Sequence, residues 1–376
     1  MTEKPTIEIH GFVAPGFEPV REAFAANFEA GSEAGASFAA TVNGEPVVDI
    51  WAGVRDEATG ARWEQDTIAC VFSTTKATVA TSCAMLVDRG QLEYEQPVAK
   101  YWPEFAQQGK DKITVSQLLS HQAGLPGITN RPLKDWYDWG AISEALAAEA
   151  PWWEPGSANG YHAISFGHLA GELVRRITGK SYGQFLRDEL AAPLGADFHV
   201  GLGPEQDARV ATMLAAPLEG LPEDALMFKV LANPPFETSQ ANDRAYRAAE
   251  IPAANGHGNA RSVARIMSAL ACGGTVDGIR LLSEEAIMAA ITEQCYRPDL
   301  VLMAPMRWGR GFMLTSNDLP ISPNPRTFGH GGAGGSLGIA DMDAKVSWSY
   351  VMNRMSATTT GDARGGGIGV ALYSCL

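Results

Sequence analysis

Ser73 and Lys76 stand three residues apart in Ser73-Thr74-Thr75-Lys76, where a long helical pattern begins. On an α-helix, positions i and i+3 share a face, so the lysine amine reaches the serine hydroxyl. The start of a helix also leaves backbone N–H groups free and carries the positive end of the dipole. An ammonium placed there loses its proton more readily, and burial lowers its pKa further. A neutral lysine accepts the serine proton and so activates the oxygen for attack on a carbonyl. The chemistry implied is serine acyl transfer without a histidine base.

Ser-x-x-Lys arises about once by chance in a chain of this length, so its surroundings decide its meaning. It is the only such pattern in the sequence, which has nine lysines. Its flanks, Ile68-Ala69-Cys70-Val71-Phe72 and Ala77-Thr78-Val79-Ala80, are apolar, poor company for a solvated lysine.

A Ser–Lys site also needs a group to protonate the leaving atom and donors for the oxyanion. Tyr161 follows the turn-rich Glu154-Pro155-Gly156-Ser157-Ala158-Asn159-Gly160, a loop able to hold a side chain over a cleft. Near cationic Lys76 its pKa is expected to fall, making it a general base or acid; a packed, hydrogen-bonded tyrosine is the alternative. The run Gly329-His330-Gly331-Gly332-Ala333-Gly334-Gly335-Ser336-Leu337-Gly338 allows a ligand to approach free backbone N–H groups. It equally suits a strand on which a neighbour packs closely. Ser336 lies in a Gly-x-Ser-x-Gly match, but no histidine follows it and no helix pattern succeeds it, so it is not the nucleophile. The seven histidines show no HxH or HExxH spacing, which argues against a metal site. His121 sits at a helix end and reads as a structural hydrogen-bonding residue.

The elements that must position these groups follow from periodicity. Residues 15–30 look helical. Ser37–Val42 and Pro46–Trp51 form a hairpin around Asn43-Gly44. Thr74–Arg89 is apolar nearly all round, the pattern of a buried helix. Further helical patterns cover Thr114–Ser120, Gly140–Ala150, Ser165–Thr178, Tyr182–Leu190 and 259–271. Strand patterns return at Gly309–Leu314, Gly335–Asp341 and Val346–Asn353, and Gly361–Gly369 leads into a last helix or strand at Val370–Cys375. Strands at both chain ends, with helices between, predict one sheet built from both termini.

The 376 residues carry a net charge of −14, with 45% hydrophobic and 19% charged residues. This is globular, and the acidity excludes nucleic acid and anionic membrane surfaces as natural partners. Five scattered cysteines without CxxC spacing read as reduced thiols. No apolar leader or membrane-length stretch is visible, and the expected location is the cytoplasm.

With Ser73-Thr74-Thr75-Lys76, Tyr161-His162-Ala163 and His330-Gly331-Gly332 in this order, the chain resembles the serine β-lactamase and penicillin-recognising superfamily. Within it, the chain looks most like the family VIII carboxylesterases, relatives of class C β-lactamases. Leu118–Leu125, Trp153-Glu154-Pro155-Gly156 and Trp308-Gly309-Arg310-Gly311-Phe312 also match, and the likeness spans roughly residues 15–376.

The resemblance implies an α+β, β-lactamase-like fold: a central antiparallel sheet flanked by helices plus a mainly helical domain, with the site between them. Residues 1–70 and 272–376 would form the discontinuous α/β domain and 71–271 the helical one. It implies that Ser73 is acylated, that Lys76 and Tyr161 share the proton transfers, and that the N–H groups of Ser73 and Ala333 form the oxyanion hole. His330, Gly331 and Gly332 would bind substrate from the sheet, and no metal or organic cofactor is needed. The lactamases have Asn where Ala163 stands and a carboxylate-binding lysine where His330 stands. The expected substrate is therefore a small, short-acyl ester, with a β-lactam, a D-amino-acid peptide or acyl transfer as alternatives on the same scaffold. A dense set of tryptophans (Trp136, Trp139, Trp152, Trp153) suits either an apolar substrate pocket or core packing.

Overall fold

Asn43 and Gly44 both adopt positive φ, 52° and 89°, as a primed two-residue turn requires. They close the expected hairpin between two long strands. In the computed structural model, which describes residues 7–216 and 222–376, these strands belong to one antiparallel sheet made by both ends of the chain. Its strands are β1 (Ile9–Val13), β2 (Gly35–Val42), β3 (Glu45–Asp56), β4 (Cys295–Pro298), β5 (Pro305–Trp308), β6 (Met313–Leu314), β7 (Thr327–Gly331), β8 (Leu337–Asp341) and β9 (Val346–Met352). They lie in the order β1-β3-β2-β9-β8-β7-β6-β5-β4, with Ala61–Arg62 added to β3. The chain ends meet where β9 pairs with β2, Trp348 opposite Ala40. Residues 1–6 of the N-terminal segment and 217–221 of the helical segment lie outside the described residues.

The longer helices are α1 (Glu18–Glu29), α2 (Lys76–Asp88), α3 (Trp139–Ala148), α4 (Ser165–Thr178), α5 (Ala260–Ala271), α6 (Glu284–Ile291) and α7 (Ala363–Tyr373). Helix α5 packs on β2, β8 and β9, and α1 packs on α7. Successive strand residues face opposite ways. In β9, Ser347 Oγ donates to Ala264 O of α5, while Trp348 meets Gly369 of α7. The helices therefore cover both faces of the sheet, and β2, β7 and β9 are buried along nearly their whole length. Helix α2 is buried from Lys76 to Leu86, as its all-round apolar pattern predicts, and packs against α4 and α6. No helix among the described residues is long and apolar enough to cross a membrane.

Several expected boundaries move. The strand expected at Gly309–Leu314 is reduced to Met313–Leu314, and 309–312 is a turn between β5 and β6: Gly309 N donates to Phe312 O at 2.9 Å, and Gly311 has φ 89°. Ala333–Gly335 is a turn, so β8 begins only at Leu337. Gly365, Gly366 and Gly367 lie inside α7, which starts at Ala363 behind an Asp362 cap. Packing crowds a side chain at two positions of α7: a Cβ on Gly365 would stand 2.9 Å from Tyr350, and one on Gly369 2.9 Å from Trp348, whereas Gly366 and Gly367 have open space beside them. The pattern at Tyr182–Leu190 is α-helical only to Phe185 and then widens into a π-type turn. Strands β1, β4 and β5 and helix α6 were not expected, whereas β7 carries the start of the glycine-rich run for which a strand was one reading. Helix α6 did carry a signal, a Ser283 cap followed by Glu284 and Glu285.

Candidate active site

Ser73–Thr75 form one 3-10 turn that runs directly into α2. Lys76 is fully buried, and its Nζ lies 2.9 Å from Ser73 Oγ. The same nitrogen donates to Ala163 O at 2.7 Å and Ala253 O at 2.9 Å. Burial holds its pKa well below the ordinary 10.5. A neutral amine has two N–H donors and one lone pair. The two carbonyls take the donors and leave the lone pair for the Ser73 hydroxyl.

The residue before Ser73 is constrained. Phe72 has φ 44° and ψ −127°, a costly conformation for a bulky side chain and one held only by its surroundings. Thr75 Oγ1 donates to Phe72 O and accepts from Gly256 N. The Ala253 carbonyl belongs to a turn fixed by Asn255, whose side chain accepts from Ile251 N and donates to Tyr246 O and Ala249 O. This turn gave no warning in the sequence, because a carbonyl ligand leaves no residue signature.

Tyr161 comes within reach of both groups. Lys76 Nζ sits 4.6 Å from its ring centroid. The ring stacks on Trp308 at 5.9 Å with an interplanar angle of 6°, and on His330 at 6.0 Å. Buried Asp299 positions the loop by accepting from Tyr161 N at 2.9 Å and Asn159 Nδ2 at 2.8 Å. The Tyr161 hydroxyl makes no hydrogen bond of standard geometry. The expected downward pKa shift is corrected here. Burial raises the phenol above its ordinary value, and only the nearby Ser73 hydroxyl works against this, so Tyr161 stays protonated at neutral pH. Tyr161→Phe deletes an unpartnered buried hydroxyl, so the thermal midpoint should hold or rise. If this group transfers protons, kcat should fall about 10²–10³-fold; a melting curve and steady-state rates on one preparation check both.

The histidines here are neutral. His162 Nδ1 donates to Gly160 O at 2.7 Å, and its Nε2 accepts from Leu125 N at 3.0 Å. His121 Nδ1 accepts from His162 N at 3.1 Å, the structural role expected of it. His330 Nδ1 meets Gly331 O at 2.7 Å. Burial lowers both His162 and His330 to about 3.

A cavity of about 580 Å³ opens beside Ser73, lined largely by apolar side chains including Phe72, Ile164, Met227, Phe228 and Leu231. Tyr161, Ala163 and Ala333 also border it. His330, Gly331 and Gly332 do not. His330 stands behind the Tyr161 ring and, with Gly331, borders a separate cavity of about 250 Å³ near α7. Gly332 lies so close to the loop before Ser73 that a Cβ on it would be 2.2 Å from Val71 O. Ser336 Oγ donates to Val71 O at 2.7 Å and lies 3.0 Å from Thr74 Oγ1. It is fully buried and clamps the glycine-rich turn to that loop. Of the expected tryptophans, Trp136 is core, its Nε1 bonded to Pro234 O, and none of the four lines the Ser73 cavity.

Backbone N–H groups around the two expected oxyanion donors are taken. Thr74 N donates to Val71 O, Thr75 N to Phe72 O, Gly332 N to Ser336 O and Gly334 N to Thr358 O. Those of Ser73 and Ala333 have no acceptor among the described residues.

Known proteins match this chain over nearly its whole length. The Beta-lactamase family model matches residues 20–372. The crystal structure of a family VIII carboxylesterase superimposes with TM-score 0.93 at 47% identity, covering 98% of this chain and all of that one. A penicillin-binding protein homolog from Caulobacter crescentus gives TM-score 0.92 at 42% identity, over 98% of this chain and 100% of that chain. The Esterase/beta-lactamase LipL of Mycobacterium tuberculosis is 35% identical over 383 residues, 96% of this chain and 87% of LipL. With a matched model over nearly its whole length and the same antiparallel sheet and flanking helices, this chain belongs to the beta-lactamase family.

Proposed function

We propose that the protein is a serine carboxylesterase that cleaves small, neutral, short-acyl esters through an acyl-enzyme on Ser73. The observation that carries this reading is the 2.9 Å approach of a buried Lys76 amine to Ser73 Oγ, at the wall of a largely apolar cavity. Lys76 takes the Ser73 proton as Oγ bonds to the ester carbonyl carbon, and the carbonyl π pair moves onto oxygen. The N–H groups of Ser73 and Ala333 receive that oxyanion. Collapse breaks the bond to the alcohol oxygen, which takes a proton passed from Lys76 through Tyr161. Water then attacks the acyl carbon and gives its proton to Lys76. The Ser73 Oγ–carbon bond breaks, and the proton returns to Oγ. The raised Tyr161 pKa favours Lys76 as the base and Tyr161 as a neutral relay.

The ester preference rests on charge. His330 is neutral and stands behind Tyr161, and Ala163 offers a methyl group to the cavity. A β-lactam carboxylate thus meets no lysine at the position where the lactamases keep one. A hydrogen bond to a charged group contributes about 1.5–3 kcal/mol. Hydrolysis of p-nitrophenyl butyrate should therefore exceed that of a chromogenic cephalosporin by about a hundredfold in kcat/KM. A cephalosporin turned over faster than the ester would overturn the substrate assignment.

A further inference from the structure

Ala333 sits in a turn whose neighbours are held by the segment 356–364 that leads into α7, with Ser356 N donating to Gly334 O at 3.0 Å. Gly334 N donates to Thr358 O at 2.9 Å, and Gly361 N donates to Gly332 O at 3.0 Å. The second bond fixes the Gly332–Ala333 peptide itself. In a trans peptide the N–H points away from the C=O, so anchoring the Gly332 oxygen on Gly361 turns the Ala333 N–H the other way.

Arg364 completes this arrangement. Its side chain is only 10% exposed, and all three nitrogens are used. Nη2 donates to Gly334 O at 2.6 Å. Nε donates to Asp362 Oδ2 at 2.7 Å. Nη1 donates to Arg354 O at 2.9 Å, Ser32 O at 3.0 Å and Glu33 Oε2 at 3.2 Å. The planar guanidinium thus ties the turn to the start of α7 and to the segment before β2, a set of directions no single ammonium reproduces. The fit is tight. A Cβ on Gly335, which has φ 132°, would lie 2.7 Å from Asp362 Oδ2 and 2.8 Å from Arg364 Nη2.

We infer that Arg364 is a positioning residue for the reaction: it holds the Ala333–Gly335 turn so that the Ala333 N–H points at the developing oxyanion. This rests on the reading of Ala333 as an oxyanion donor. Arg364 does not line the Ser73 cavity, so its effect falls on the transition state and leaves substrate affinity nearly alone. Removing one oxyanion donor typically costs about 10²–10³-fold in kcat, and a displaced donor costs part of that.

The test compares wild type with Arg364→Lys, Arg364→Met and the milder Asp362→Asn, on p-nitrophenyl butyrate. Rates are normalised to sites titrated with a fluorophosphonate, so unfolded molecules do not count. An alkylboronic acid serves as transition-state mimic, since its boron bonds Ser73 Oγ and presents a tetrahedral oxygen. The expected result is a fall of about 10–100-fold in kcat per titrated site. The boronate Ki should rise in step while KM changes less than about threefold. Arg364→Lys should not rescue activity, and Asp362→Asn should show a smaller loss with the same split. Wild-type kcat and boronate affinity per titrated site in any folded variant of Arg364 would overturn the inference. If neither Arg364 variant folds, Asp362→Asn decides: the split supports the inference and its absence overturns it. Failure of the wild type to take fluorophosphonate on Ser73 would instead strike the underlying site reading.

Discussion

Ser73→Ala should lose at least about 10⁴-fold in kcat on any ester the protein hydrolyses, the scale seen when a serine nucleophile is removed. Its fold should be intact. Ser73 is largely buried but small, and its Oγ contacts Lys76 Nζ alone among the described hydrogen bonds. The deletion also leaves Lys76 on its two carbonyls. Ser336→Ala is the natural control, because Ser336 sits in the Gly-x-Ser-x-Gly match. Its Oγ is fully buried and committed to Val71 O. The control should lose stability through that carbonyl and keep a functioning nucleophile. A Ser73→Ala protein with near wild-type turnover in rates per folded molecule, or a dead but folded Ser336→Ala, would invert the assignment.

Lys76→Arg should be nearly as inactive, with a loss of about 10³–10⁴-fold. Arginine keeps the positive charge and the donors for Ala163 O and Ala253 O, but its guanidinium does not deprotonate in a protein. Conserved charge with abolished rate separates a base from an electrostatic anchor. In the wild type, kcat/KM should rise with pH as Lys76 loses its proton, reaching a plateau below the 10.5 of an ordinary lysine. The stability sign follows from linkage. Between its lowered folded pKa and 10.5, Lys76 binds more protons in the unfolded chain. Stability from this group therefore rises with pH, by about 1.4 kcal/mol per unit. Denaturant titrations of wild type and Lys76→Met across that window measure it: the slope should be shallower in the variant. An active Lys76→Arg enzyme would show that another group takes the proton.

What was legible in the sequence was what is local. Ser73 and Lys76 are three residues apart, so helix geometry brings them together, and their apolar flanks announced the burial that lowers the lysine pKa. Asn43-Gly44 announced a turn that only φ-tolerant residues make. The groups that finish the site are non-local and often backbone. Ala253 O, 177 positions from Lys76, carries no motif, and neither does Asp299, which holds the Tyr161 loop from 138 positions away. The direction of His330 depends on the register of β7 against β8, His330 opposite Gly338, and spacing alone cannot supply that. The Tyr161 pKa turned on how completely its ring is enclosed, with Trp308 and His330 against it, and the lysine charge assumed from sequence does not oppose that desolvation, because burial favours the neutral Lys76 amine. Two of the glycines of α7, Gly365 and Gly369, carried no local reason for being there, because the side chains they pack on, Tyr350 and Trp348, lie on a strand earlier in the chain.

The central claim is a covalent ester on Ser73, and acid quenching during turnover of p-nitrophenyl butyrate, followed by peptide mass spectrometry, addresses it most directly. The predicted result is one butyryl group on the peptide containing Ser73, accumulating within a turnover, absent from Ser73→Ala and barely formed by Lys76→Arg. A butyryl group on the Ser336 peptide, or full turnover with no acylated serine at any quench time, would contradict the mechanism.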